Sequence, residues 1–187
     1  MLPELLNEQL RLVDGTIVKK CPTTKPLYCA KDGRFFSVQN MQITDEGCIM
    51  HELKPRFSPS SQKNRPNMHS AYPCMRDYNN RLCHHLIWET FVGSRTKGME
   101  IDHLNGDKMN WSLDNLEEVT PAENRKRAVL LRELRRNGRD PKHMTRDELQ
   151  AIFRKYRIVD PYDASKKRLH PHCEAVFESG VQRSDFL

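Results

Sequence analysis

The segment GMEIDHLNGDKMNWSLDNLEEVTPAEN occupies residues 98–124 and contains the clearest structural signals in the chain. It predicts two extended pieces joined by a polar loop. A helix follows them, because Thr120 as N-cap, Pro121 in the first helical position and Glu123 three residues after the cap form a capping-box signature. The Asn-Gly pair at 137–138 ends that helix. The order strand, strand, helix is therefore predicted.

The chain before this segment is predicted to contain mostly strands. Residues 1–20 approximate a helical period and predict one short helix. Residues 27–53 contain apolar runs interrupted by Asp-Gly and Asp-Glu-Gly turns, which predict two hairpins. Residues 55–70 are rich in Pro, Ser and Asn and predict a linker. A third hairpin at 72–83 and a short helix at 84–93 complete this part.

After residue 138 the sequence predicts one more helix and an irregular tail. Thr145 and Glu148 form a second capping box. Apolar residues then recur at the spacing of one helix face, at Leu149, Ile152, Phe153 and Tyr156. The last thirty residues show no periodicity, so we expect no regular element there.

Composition excludes a membrane-spanning or exported protein as the expected class. The 187 residues are 37% hydrophobic and 30% charged, which predicts one modest core with polar extensions. No run of about 18 apolar residues occurs, and the first ten residues carry two acids where a secretory signal needs a basic start. Six cysteines without a CxxC pair favour reduced thiols over disulfides or zinc. We therefore expect a cytoplasmic protein without a membrane partner.

The basic charge is concentrated in one stretch. The formal net charge is +6, from 31 Lys and Arg against 25 Asp and Glu. Residues 124–158 hold twelve Lys or Arg and four acids, a net +8 that leaves −2 for the rest of the chain. This pattern is typical of proteins that bind phosphates, although a solvated helix face has the same composition. The candidate nucleic-acid-binding residues are Arg125, Arg127, Arg132, Arg135 and Arg136.

The stretch from Cys83 to Asn124 resembles the HNH endonuclease family, particularly its homing branch in phages and mobile introns. Asp102 and His103 follow the apolar strand MEI, Asn115 comes thirteen residues after Asp102, and Asn124 nine residues later. This order is that of the family's ββα-metal motif. Asparagine replaces the final histidine of some members, as is common in the homing branch. The upstream run CHHLIWETF resembles the family's helix pattern, with a histidine at position 84.

The resemblance implies a role for each of these residues. Asp102 and Asn124 would hold one Mg²⁺ or Mn²⁺ per active site, since hard cations prefer oxygen ligands and keep several waters. His103 would be the general base, because an imidazole titrates near neutral pH. Asn115 would hydrogen-bond the backbone of the intervening loop and hold His103 in position. His84 either contacts the site or caps the core.

These observations predict an α+β metal-dependent endonuclease acting on double-stranded DNA. The predicted domains are a β-rich module at 1–56 that contacts DNA, a linker at 57–70, an HNH core at 71–138, and a basic helix with the tail at 139–187. A monomer would nick one strand, and the oligomeric state is open. The alternatives are a non-catalytic DNA-binding regulator or packaging accessory, and a general or RNA-directed nuclease.

Overall fold

A computed structural model describes residues 8–57, 72–75 and 77–156. Most of the predicted linker and the predicted tail lie outside these residues. The elements of the described part are β1 (Gln9–Arg11), β2 (Ile17–Lys20), β3 (Leu27–Ala30), β4 (Phe35–Thr44), β5 (Gly47–Leu53), β6 (Arg56–Phe57), β7 (Pro73–Met75), β8 (Arg81–Leu82), α1 (Cys83–Phe91), β9 (Glu100–His103), β10 (Leu116–Val119), α2 (Pro121–Arg136) and α3 (Arg146–Lys155). No helix among them is long and apolar enough to cross a lipid bilayer.

The fold is mixed α and β and divides into two compact units. The first unit contains residues 1–95 and 108–116, and the second contains 96–107 and 117–187. Each unit is thus assembled from two separate stretches of chain, and the loop between β9 and β10 is shared out between them. The predicted domains are continuous stretches of chain, and their boundaries stay a prediction.

The first unit contains a five-stranded antiparallel sheet with strand order β1-β2-β3-β4-β5. The two hairpins predicted for residues 27–53 are confirmed, with turns that include residues 32–33 and 45–46. Next to β1, Leu12 forms a parallel bridge to Cys48 of β5. The first and last strands of the sheet therefore meet, which shortens the exposed edges.

The helix predicted within residues 1–20 is wrong for the part that the structure describes, because β1 and β2 form a hairpin there. Asp14 and Gly15 make its turn. Gly15 has φ +85°, and Oδ1 of Asp14 accepts a hydrogen bond from the backbone N of Thr16 at 2.8 Å. Such side-chain bonds favour turns over helix, and burying Val18 in the sheet outweighs a weak helical period.

The third predicted hairpin and the helix after it are both present in the first unit. Strand β7 pairs with β8, with Cys74 opposite Leu82, and also with β6. Helix α1 buries Leu86, Ile87 and Thr90. The predicted short helix is therefore confirmed.

The second unit confirms the predicted order strand, strand, helix. Strands β9 and β10 pair, and α2 and α3 follow them. Thr120 caps α2 by accepting from the backbone N of Glu123 at 3.1 Å. The carboxylate of Glu123 binds Arg127 instead of completing the capping box. Thr145 and Glu148 make both bonds of the box that starts α3.

Each of the two units has a buried apolar cluster of its own among the described residues, so the prediction of one modest core is wrong. The cluster of the first unit contains Leu12, Val18, Tyr28, Ala30, Phe36 and Cys48. The cluster of the second unit contains Leu104, Leu130, Leu131, Leu134, Leu149 and Phe153. The chain therefore divides its apolar content between two units. The five described cysteines are buried and form no disulfide with one another.

Candidate functional site

Strand β9 ends at its Asp-His pair. Asp102 and His103 are its last two residues, and the backbone N of Gly106 donates to the carbonyl of His103 at 2.7 Å. Gly106 has φ +66°, and a side chain there would meet Arg135 and Leu131 within 3.0 Å. Glycine is therefore favoured in this turn, because most other residues rarely adopt a positive φ. The turn ends the strand directly after the Asp-His pair.

Helix α2 contacts β9 through two pairs of polar side chains. Nδ2 of Asn124 donates to Oε2 of Glu100 at 2.7 Å, and Nη1 of Arg127 lies 3.8 Å from Oδ2 of Asp102. Residues two apart on a strand share a face, as do residues three apart on a helix. The structure therefore brings the predicted ligands Asp102 and Asn124 to the same contact between strand and helix. Sequence reasoning missed Glu100, although its alternation with Asp102 indicates the shared face.

The carboxylate of Asp102 is buried, and neighbouring groups compensate only partly for its lost hydration. Its side chain is 13% exposed, and Oδ2 makes no hydrogen bond among the described residues. Burial raises the pKa of Asp102 to about 7, against the opposing effect of Arg127 and of the backbone N of His103. Burying a carboxylate disfavours its charged form unless a cation or hydrogen-bond donors replace the lost water.

Arg127 is enclosed by acids and by an aromatic ring. The side chain is 2% exposed and donates to Glu117 at 2.7 Å and to Glu123 at 2.6 Å. Its guanidinium also stacks 4.6 Å from the ring centroid of Phe153. The predicted contact of Arg127 with a phosphate stays a prediction, and in this structure its Nη1 and Nη2 atoms bond protein carboxylates. The spacing of four residues between Glu123 and Arg127 indicates their pairing, whereas nothing in the sequence indicates Glu117.

The remaining predicted site residues are distributed over both units. His103 is buried at 4% exposure in the second unit. Asn115 belongs to the first unit, where its Nδ2 donates to the backbone carbonyl of Asn110 at 2.7 Å. This is the predicted bond to the intervening loop, whereas the effect of Asn115 on His103 stays a prediction. His84 is also in the first unit, buried with its ring centroid 5.3 Å from that of Tyr72.

The loop before Asn115 is attached to the turn between β3 and β4. Nε1 of Trp111 donates to the carbonyl of Gly33 at 2.8 Å, and the backbone N of Leu113 donates to the carbonyl of Lys31 at 2.8 Å. A Cβ atom at Gly33 would lie 2.9 Å from the indole. The hairpin of the first unit therefore fixes the segment that carries Asn115.

Four of the five predicted nucleic-acid-binding arginines are exposed on α2, namely Arg125, Arg132, Arg135 and Arg136. Arg136 pairs with Glu133 one turn earlier, and Arg135 donates to the backbone carbonyl of Asn105 at 3.1 Å. Cations in the last turn of a helix also stabilise it through the helix dipole. These arginines thus have a structural role in addition to the predicted contact with phosphate.

The donor set at the contact of β9 with α2 fits a hard divalent cation. Oδ2 of Asp102 is a buried carboxylate oxygen without a hydrogen bond, and Asn124 contributes an amide whose NH₂ group is already bonded to Glu100. Within the described ranges no three His, Cys, Asp or Glu side chains cluster as metal ligands. An ion held by one carboxylate and one amide, as predicted, needs no such cluster, because Mg²⁺ keeps several waters.

Comparison with known proteins finds matches to the part of the chain that contains Asp102 and Asn124. Residues 81–126 match the family model described as HNH endonuclease. The predicted resemblance to the HNH endonuclease family is thereby confirmed for this segment. Over 84 residues the chain is 42% identical to the SPbeta prophage-derived putative HNH homing endonuclease YosQ of Bacillus subtilis (strain 168). That alignment covers 44% of this chain and 48% of the relative, so the chain spans about half of that protein's length. No solved structure matches the chain.

Proposed function

We propose that this chain is a metal-dependent DNA endonuclease that hydrolyses phosphodiester bonds by the one-metal HNH mechanism. The observation that carries the proposal is the Oδ2 atom of Asp102, buried without a hydrogen bond beside His103 and facing the helix that carries Asn124. The family match supports nuclease activity. The dependence on a metal ion and the individual roles are inferred from the side chains themselves.

Asp102 and Asn124 hold one Mg²⁺ or Mn²⁺ in this proposal. The bound ion supplies electrostatic stabilisation of the scissile phosphate and of the 3′ leaving oxygen. Asp102 contributes the charged oxygen, and its burial strengthens its attraction for a cation. Asn124 contributes a neutral oxygen from the first turn of α2. Two protein ligands leave room for water and for a phosphate oxygen.

His103 accepts the proton of the attacking water. A neutral imidazole nitrogen can accept a proton, and histidine is the side chain most often used as a general base. Asn115 stabilises the loop that follows β9 through its bond to Asn110. Attack on phosphorus with loss of the 3′ oxygen leaves 5′-phosphate and 3′-hydroxyl ends. One such site cuts one strand, and a monomer therefore nicks the duplex.

Double-stranded DNA is the proposed substrate. The net +8 of residues 124–158 includes the exposed arginines of α2, which suit the phosphates on either side of the cleaved bond. The β-rich module at 1–56 is proposed to contact the flanking duplex. The relative's name describes a homing endonuclease from a prophage. For this chain, the cytoplasm of a bacterial host is proposed as the setting.

A plasmid assay tests the proposal. The full chain should convert supercoiled DNA to the nicked form with Mg²⁺ or Mn²⁺ and should be inactive in EDTA. His103→Ala should remove the activity, while His143→Ala is the matched control, since His143 is 86% exposed on the same unit. DNA binding without nicking at any metal concentration would instead establish the non-catalytic regulator. Nicking at full rate in EDTA would refute the role given to the metal.

A further inference from the structure

The carboxylate of Glu100 makes a contact that none of the proposed roles explains. Its Oε2 accepts a hydrogen bond from Nδ2 of Asn124 at 2.7 Å. Glu100 lies two residues before Asp102 on β9, so the two acids share the face of the strand that meets α2. Glu100 therefore contacts one proposed ligand and lies beside the other.

The direction of this hydrogen bond matters because an amide has two different ends. The oxygen of Asn124 can bind a hard cation, whereas its NH₂ group can only donate. Rotation about the last side-chain bond exchanges the two ends, and its torsional preference is weak. An ionised carboxylate only accepts hydrogen bonds, and such charge-assisted bonds are strong. Glu100 thus selects the NH₂ end for itself and leaves the oxygen for another partner.

We propose that Glu100 is a positioning residue that orients the amide of Asn124 so that its oxygen is available to the divalent ion. The inference rests on the proposed function, because it requires an ion held by Asp102 and Asn124. Partners that orient metal ligands typically contribute about 10- to 100-fold in metal affinity. Loss of the Glu100 carboxylate should therefore weaken Mn²⁺ binding by about tenfold or more.

The test measures Mn²⁺ affinity of the full chain by calorimetry without DNA, so that it does not depend on cleavage. Glu100→Ala should bind Mn²⁺ about tenfold more weakly than the wild type. Glu100→Gln retains an acceptor oxygen and should stay within about threefold of the wild type. The matched control is Glu118→Ala. Glu118 lies on β10, and its carboxylate accepts from the backbone N and Oγ1 of Thr96, so its removal deletes the same charge without affecting Asn124.

A double-mutant cycle tests whether Glu100 acts through Asn124. If it does, Glu100→Ala should cause no further loss of Mn²⁺ affinity in the Asn124→Ala background. A further tenfold loss there would overturn the inference, as would equal losses in Glu100→Ala and Glu118→Ala. Melting curves verify that each variant folds. If Glu100→Ala does not fold, Glu100→Gln is the deciding variant. It retains an acceptor oxygen, so a tenfold loss of Mn²⁺ affinity would show that only the charge of Glu100 matters and would overturn the inference.

Failure of the inference is distinguishable from failure of the proposed function. If the wild type binds Mn²⁺ and Asn124→Ala weakens the binding while Glu100→Ala does not, only the positioning role is refuted. If the wild type binds no Mn²⁺, the metal site and the positioning role are refuted together.

Discussion

The guanidinium of Arg127 lies closer to Glu117 and Glu123 than to Asp102. Its distances to their carboxylate oxygens are 2.7 and 2.6 Å, against 3.8 Å to Oδ2 of Asp102. The charge of Arg127 is therefore balanced by Glu117 and Glu123 rather than by Asp102. Arg127 attracts the carboxylate of Asp102 but donates no hydrogen bond to its Oδ2 atom. This weak compensation explains why burial still raises the pKa of Asp102.

Replacing Arg127 should strongly destabilise the second unit. Arg127→Met keeps much of the side-chain volume but leaves Glu117 and Glu123 without their cation. Breaking a buried ion pair from one side typically costs about 3–5 kcal/mol. Denaturant unfolding of the variant and the wild type measures this difference.

Arg125→Met is the control for this prediction, because Arg125 is exposed on the same helix. Its effect on the free energy of unfolding should be within about 0.5 kcal/mol of zero. Equal stability of the two variants would show that the buried network contributes nothing.

Asp102→Asn should stabilise the metal-free protein, and more so at high pH. The pKa of Asp102 is about 7 when folded and 3.8 as its ordinary value, so the folded state retains the proton over this interval. Below about pH 4 both states are protonated and Asp102 has no effect. As pH rises to about 7, stability falls by at most about 1.4 kcal/mol per unit, and the loss is complete above that.

Melting temperatures in EDTA between pH 4 and 8 check this expectation. The gain from Asp102→Asn should grow with pH, whereas the exposed control Asp147→Asn should show no such growth. A gain that is constant with pH would mean that ionisation of the buried carboxylate does not limit stability. Asp102→Asn should also weaken Mn²⁺ binding, because it removes the charged ligand.

Metal titrations of nicking should separate Asp102 from His103. His103→Ala should bind Mn²⁺ normally but cleave about 10² to 10⁴ times more slowly, the usual effect of losing a general base. Asp102→Ala should need more Mn²⁺ and recover part of its activity at high concentration. Recovery of His103→Ala by metal, with none for Asp102→Ala, would reverse the two assignments.

The sequence predicted those parts of the fold that depend on short-range signals. Thr120 and Thr145 marked the starts of α2 and α3, because caps are local hydrogen bonds between neighbouring residues. The hairpins followed from their turn residues. The prediction of an N-terminal helix failed because the turn at Gly15 and the hairpin pairing of β1 with β2 outweighed a weak helical period.

The environment of the side chains at the site could not be predicted from the sequence, because it depends on packing between residues that are distant along the chain. Motif order placed Asp102 and Asn124, and the structure brings both to the contact of β9 with α2. The burial of Arg127 was missed, since an arginine in a basic stretch is expected at the surface. The acid Glu117 binds it from a strand that comes ten residues earlier. Only the fold makes that pair adjacent.

The exposed arginines of α2 should determine how steeply DNA affinity falls with salt. Replacing Arg132, Arg135 and Arg136 together with Gln removes three cations that lie on the surface of the helix. Each lost phosphate contact reduces the magnitude of the negative slope of log K against log salt by about 0.9. The loss of three contacts should therefore flatten the slope by up to about 2.7. The charge-conserving triple Lys variant should keep the wild-type slope, because the slope counts neutralised phosphates and does not depend on the guanidinium shape.

Fluorescence anisotropy on a duplex at several salt concentrations measures both variants. Since Arg135 also binds the carbonyl of Asn105, melting curves must first show that both variants fold. A Gln variant that weakens binding without flattening the slope would place the phosphate contacts on another surface.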